Sequence, residues 1–150
     1  MVSAPVPSVC PCGGATPGQR SGAAAPSFAQ CCGRFIDGDA IAPDALTLMR
    51  SRYSAYVLGK TAYLRATWAP QTCPADLDAS EASNSSNSSN ATRWLGLQIK
   101  RFTPLDATHA EVEFVARYKI GGRAHRLHEL SRFVRDDSGW RYVDGDIRED

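Results

Sequence analysis

Four of the five cysteines in this chain stand in two tight pairs, Cys10-Pro11-Cys12 and Cys31-Cys32-Gly33, within the first quarter of the sequence. A thiolate is a strong zinc ligand, and a structural zinc ion takes four ligands in a tetrahedron at about 2.3 Å from each sulfur. Two pairs on two short segments supply that set, with the chain between them closing a loop. The expected metal site is therefore Cys10, Cys12, Cys31 and Cys32, with zinc as the cofactor. Four thiolates also suit iron, so the donor types leave the choice of metal open. A disulfide or redox pair and unliganded thiols are the competing readings. Disulfides usually accompany a secretory signal, and Met1 to Val9 has neither a basic start nor an apolar run of signal length. Cys31 and Cys32 are also poor partners for each other, because adjacent side chains diverge. Cys73 stands apart and reads as a bland loop thiol.

Elsewhere the sequence offers reactive residue types without a constellation. His128 and Glu129 are the acid/base pair by type, since histidine titrates near neutral pH. They are adjacent on an expected strand, so their side chains leave on opposite faces. His125, Leu127, Glu129, Ser131 and Phe133 share one face; His128, Leu130, Arg132 and Val134 share the other. Glu129 opposite Arg50 or Arg52 across the interior reads as a structural ion pair before it reads as catalysis. The order His125-Arg126-Leu127-His128-Glu129 is not that of the zinc proteases. Asp144-Gly145-Asp146 lacks the twelve-residue calcium loop and reads as a turn. There is no glycine-rich phosphate loop and no nucleophile elbow, so no catalytic residue is assigned and the question of enzyme activity stays open, with the balance against it.

The elements that must position these residues follow from pattern. The first nine residues read as disordered, and the metal segment spans 10–33, with a Gly-, Ala- and Pro-rich insertion at 16–26. Arg34 to Ala42 is expected to be a turn-bearing connection. From Pro43, Leu46, Met49, Tyr53, Tyr56 and Val57 recur at helical steps, with Asp44 in the first turn and Gly59 at the end. A second short helix is expected from Thr61 to Trp68, stopped by Pro70. About 75–92 is a low-complexity tract of Ser and Asn whose three sequons are accidents of composition. Four strands follow: Trp94 to Phe102, Ala110 to Tyr118, Ala124 to Val134 and Trp140 to Val143. Gly121-Gly122 marks a tight hairpin, because both positions can take positive φ. Short connections join antiparallel neighbours, so the expected fold is α+β, with helices across one face of a four-stranded antiparallel meander spanning 34–150.

Bulk properties narrow the function classes. A chain of 150 residues fits one domain plus an appendage. The formal net charge of +1 gives no global field toward nucleic acid or an acidic membrane. Arginine dominates the basic residues, and Arg50, Arg52 and Arg65 fall close together, but a solvated face explains them better than a nucleic-acid site. Nothing approaches the run of about 18 apolar residues that spans a membrane. The expected compartment is the cytoplasm.

Two resemblances add to this reading. Cys-Pro-Cys-Gly-Gly, followed by an aromatic (Phe28) three positions before Cys-Cys-Gly, resembles the SEC-C zinc motif, named for the C-terminal tail of the SecA translocation ATPase. The gap of eighteen residues between Cys12 and Cys31 is longer than the usual one. The motif implies zinc on Cys10, Cys12, Cys31 and Cys32, and a protein partner such as an export chaperone or the ribosome. The segments Leu48-Met49-Arg50-Ser51-Arg52-Tyr53, Ala66-Thr67-Trp68, Arg93-Trp94-Leu95-Gly96-Leu97, Glu113-Phe114-Val115-Ala116-Arg117-Tyr118, His128-Glu129-Leu130-Ser131-Arg132-Phe133 and Trp140-Arg141-Tyr142-Val143-Asp144-Gly145 extend it. In that order they resemble the YchJ-like family of uncharacterised bacterial proteins. The family implies a zinc knuckle followed by a cystatin-like cone of the nuclear transport factor type, whose sheet and helices enclose a pocket. Arg50, Arg52, Tyr56, Trp68, Trp94 and Phe114 are candidates for its wall, as are Tyr118, Glu129, Arg132 and Asp144. The expected function is an interaction or adaptor module docking through its knuckle. The alternative is a small-molecule-binding or hydrolase/isomerase-like protein using the pocket.

Overall fold

The computed structural model describes residues 9–13, 27–38, 40–74 and 92–148. The expected disordered start, the insertion at 16–26 and the low-complexity tract lie outside them, apart from Val9 and Thr92. Among the described residues, three helices precede four strands: α1 (Gly33–Ile36), α2 (Ala45–Leu58), α3 (Thr61–Ala66), β1 (Thr92–Pro104), β2 (His109–Ile120), β3 (Arg123–Asp136) and β4 (Gly139–Ile147). The strands form one antiparallel sheet in the order β1-β2-β3-β4, the meander that the short connections predict. Gly121 and Gly122 close the β2–β3 hairpin at φ values of 58° and 81°, a conformation that costs a side-chain-bearing residue its usual sterics.

Helix α2 is the central element. The Asp44 carboxylate caps it by accepting from the Thr47 N–H at 2.7 Å. Gly59 ends it at φ 70°. One buried stripe is too narrow a description of this helix: Leu48, Met49 and Tyr53 are joined in burial by Ala45, Ser51, Ser54 and Ala55, each at 0% exposure. The sheet covers one side, and α3 and the cysteine segments cover the other. Small side chains let those neighbours approach closely. Ser51 stays satisfied there, donating to Leu48 O at 2.7 Å and meeting the Tyr63 hydroxyl at 2.7 Å.

Three local expectations are corrected. Gly33 to Ile36 is a turn of helix rather than an irregular connection. Helix α3 stops at Ala66, because the chain pairs with β4 through an isolated parallel bridge, Trp68 to Tyr142. There Ala69 N–H donates to Tyr142 O and Tyr142 N–H to Thr67 O, both at 2.8 Å. This covers part of the β4 edge. Strand β1 does not alternate simply. Register shifts at Leu95 and Lys100 set Trp94, Leu97, Ile99 and Phe102 opposite Tyr118, Ala116, Phe114 and Val112. Leu95, expected inside, is 48% exposed. A bulge adds one residue and so switches the face of everything beyond it.

No helix is long and apolar enough to cross a membrane among the described residues.

Candidate metal centre and cavity

Two short segments carry the cysteines, and an antiparallel bridge between Val9 and Ser27 brings those segments together. On the first, Gly13 N–H donates to Cys10 O at 3.0 Å, with Gly13 at φ 67°, so the chain turns tightly and presents both sulfurs on one side. On the second, Phe28 O accepts from Cys31 N–H at 3.0 Å and Gly33 N–H at 2.8 Å. Phe28 packs beneath this turn at 2% exposure, and a Cβ on Gly33 would lie 2.8 Å from its carbonyl oxygen. The aromatic and the glycine of the motif are thus two halves of one close contact.

The result is a cluster in which all four sulfurs of Cys10, Cys12, Cys31 and Cys32 lie within 4.8 Å of one another. Adjacent separations are 3.5 Å for Cys10–Cys12, 3.6 Å for Cys12–Cys31 and 3.9 Å for Cys31–Cys32. Sulfurs placed about 2.3 Å from a central zinc in a tetrahedron stand about 3.8 Å apart. A disulfide would need about 2.05 Å. The donor set and its spacing therefore fit a tetrahedral metal ion. Its electrostatics are compatible with one. The Cys12 thiol, then that of Cys32, hold the Cys10 thiol far below its ordinary value against the cost of burial, and the Ser54 hydroxyl adds to this. Cys32 is pushed strongly the other way, by Cys10 first and then by Cys12 and burial. Sulfurs this close cannot all ionise unaided; a divalent cation among them removes the conflict.

The cluster is no separate knob. Each cysteine is buried, at 1–4% exposure, and all four belong to the same apolar core as Leu48, Met49 and Tyr53 of α2. Cys10 Sγ lies 3.5 Å from Ser54 Oγ on that helix. Ser54 gave no signal in the sequence, because a lone helical serine looks like surface. Cys73 lies outside the cluster, with its thiol near Pro74 O at 3.8 Å.

On the sheet side of the same helix lies a cavity of about 250 Å³. Of the ten residues considered for a pocket, Arg52, Tyr56, Trp68, Trp94, Phe114 and Glu129 line it. Tyr53, Ser131 and Tyr142 line it too, and sequence reasoning did not single them out as wall residues. The other four do not. Arg132 lies on the opposite face of β3, where it holds Asp144 at 2.6 Å and Asp146 at 2.8 Å. This removes Arg132 and Asp144 from the pocket and explains the Asp-Gly-Asp segment as a partner for an arginine. Tyr118 stacks on His125 at 5.2 Å and tilts against Trp94 at 5.4 Å without reaching the wall. Arg50 sits on α2 away from the cavity.

Glu129 and Arg52 do not form the expected ion pair. The Glu129 carboxylate accepts from Ser131 Oγ at 2.5 Å and Tyr142 OH at 3.1 Å. The Arg52 guanidinium, 4% exposed, donates through Nη1 to Leu64 O at 2.9 Å and Thr67 Oγ1 at 2.7 Å. Its Cζ lies 4.8 Å from the ring centroids of both Trp68 and Tyr142, which meet each other edge to face at 5.1 Å. His128 points to the outer face and meets Glu113 at 2.7 Å, so it and Glu129 serve different surfaces.

Residues 44–145 match the family described as YchJ, middle NTF2-like domain. The chain is 56% identical to a UPF0225 protein of Ralstonia nicotianae, over 96% of this chain and 95% of that one. It is 49% identical to a UPF0225 protein of Bordetella pertussis over 95% of each. Among solved structures, it is similar to a SEC-C motif containing protein from Psychrobacter arcticus, with a TM-score of 0.69, 31% identity, and coverage of 95% of this chain and 84% of that one. A second, RPA3114 from Rhodopseudomonas palustris, also described as a SEC-C motif containing protein, gives a TM-score of 0.70 and 25% identity over 85% and 96% of the two chains. With its middle domain matched and its length spanned by such relatives, the chain belongs to the uncharacterised YchJ-like, UPF0225 family.

Proposed function

We propose that Cys10, Cys12, Cys31 and Cys32 hold one zinc ion as a closed structural site, and that the chain is a cytoplasmic interaction module rather than an enzyme. The observation that carries this is the burial of all four sulfurs within 4.8 Å of one another. Such a site leaves no position for the water that catalytic zinc keeps. Its role is then to stiffen the surface above it, where Val9, Ala29, Gln30 and Arg34 are exposed. That surface is the docking face, and an export chaperone or the ribosome is the partner that the SEC-C resemblance implies. Buried reduced thiols suit the cytoplasm. Because the cluster shares its core with α2, metal removal would loosen the helix as well as the docking face.

Metal analysis of protein purified without added metal should find one zinc per chain. Finding iron, or no metal, would remove the zinc assignment. Pull-downs from cytosol with the wild type and a Cys31→Ser, Cys32→Ser variant should differ in their partner lists. Identical lists would end the docking role.

A further inference from the structure

The cavity between α2, the segment after α3 and the sheet holds a buried cation, Arg52, whose hydrogen bonds among the described residues reach no carboxylate. Arg52 is almost fully buried, yet its hydrogen bonds run only through Nη1, to a carbonyl and a hydroxyl. Trp68 and Tyr142, whose rings meet edge to face at 5.1 Å, both lie against the guanidinium, its Cζ 4.8 Å from each centroid. What remains is the Nε and Nη2 edge, which meets no acceptor among the described residues. That edge is the pair of parallel donors that fits a carboxylate side-on. Burying a guanidinium without a carboxylate costs free energy that a bound anion would recover. Burial indeed works against the Arg52 cation, and the groups that ease it are tyrosines and a cysteine. A second unpartnered donor stands beside it: the Trp68 indole Nε1–H is buried and has no acceptor, on a side chain that also lines the cavity.

The other walls decide what the anion is attached to. Tyr53, Trp94, Phe114 and Phe133 are apolar or present ring faces, so the body is flat and apolar. The volume of about 250 Å³ falls just under the range of drug-sized ligand pockets, which start at about 300 Å³. Glu129 lines the same space, and its neighbours Ser131 and Tyr142 both donate to one of its oxygens, Oε2. A carboxylate there repels a second negative charge and accepts from a hydroxyl or amine.

We propose that this cavity binds a small aromatic monocarboxylate, its carboxylate on the Nε and Nη2 edge of Arg52 and a hydrogen-bond donor at its far end on Glu129. Para-hydroxyphenylacetate has this layout and serves as the probe. Its neutral amide and para-phenylenediacetate, with one charge removed and one added, are the controls.

The test is an NMR titration of the full, metal-loaded chain, read on the tryptophan indole N–H signals. Trp68 and Trp94 line the cavity and Trp140 does not, so the first two should shift and the third should stay. The acid should saturate, and the amide should bind about ten-fold more weakly, the difference that a charge-assisted bond makes. Ala116→Leu puts bulk into the cavity from β2 and should abolish the shifts while melting still shows a folded chain. Glu129→Gln should narrow the gap between the monoacid and the diacid. Equal binding of acid and amide, no shift with the acid, or unaltered binding in Ala116→Leu would each overturn the proposal. Arg52→Lys keeps the charge and loses the fork, and should weaken the acid more than the amide; a variant that fails to fold is replaced by the Ala116→Leu result.

Discussion

The two sides of helix α2 solve opposite problems. One side meets four identical soft donors, brought together by two turns and closed off from water. The other meets a cavity whose polar groups are unlike one another and come from α2, β3, β4 and the segment after α3. The first arrangement suits a cation at its centre. The second keeps a positive group and a negative group apart, each satisfied on one side and open on the other. Local sequence can encode the first. Only the assembled fold produces the second.

Breaking the metal side should have the largest effect. Cys32→Ser removes one ligand and leaves three buried thiols, so metal content should fall from one per chain to a small fraction. The melting temperature should drop on the order of 10 °C, from a loss of about 4 kcal/mol. A variant that keeps its metal content and its melting temperature would mean that the cluster is packing alone. Next comes Arg52→Met on the cavity side. It leaves Leu64 O and Thr67 Oγ1 without their donor and removes the cation from two rings, which should cost about 2–4 kcal/mol. Metal content should stay unchanged, and a fall would show that the two sides are coupled through the helix.

The contrast in legibility follows from the same difference. The cysteines were readable because each pair is close in sequence and sulfur is a rare, specific donor. The meander was readable because β2 and β3 alternate and the Gly121-Gly122 turn has one conformational reason to exist. The bulges in β1 were not: Leu95 has the same apolar character whether it faces in or out, and only pairing with β2 decides. Arg132 and Asp144 were misplaced for a related reason. Strand parity put Arg132 on the face away from Phe133, but nothing local says which face bears the cavity. Arg52 was legible as a residue type and not as a role, since its ring neighbours Trp68 and Tyr142 are sixteen and ninety positions away.

Raising the pH should sharpen the comparison by a smaller amount. Burial pushes the Tyr142 hydroxyl up, with Glu129 adding to it, and burial also raises Tyr53 and Tyr63. A raised pKa means that the folded state holds its proton more tightly. The associated stability is full below the ordinary tyrosine value of about 10 and is lost as pH rises above it. Denaturant midpoints should therefore fall between about pH 10 and pH 12, and Tyr142→Phe should flatten that fall. If Tyr142→Phe leaves the slope unchanged, the hydroxyl is not held as described. The smallest effect should come from Arg132→Ala on the outer face. Its partners Asp144 and Asp146 are well exposed, so the melting temperature should stay within measurement scatter.

The Val9–Ser27 bridge has a practical corollary. Since that clasp fixes how near the two ligand-bearing turns come, the number of residues strung between them is free to vary with only a logarithmic entropic toll. An epitope or fluorophore tag spliced between positions 14 and 26 should leave the metal content unchanged, making this the natural place to attach a reporter.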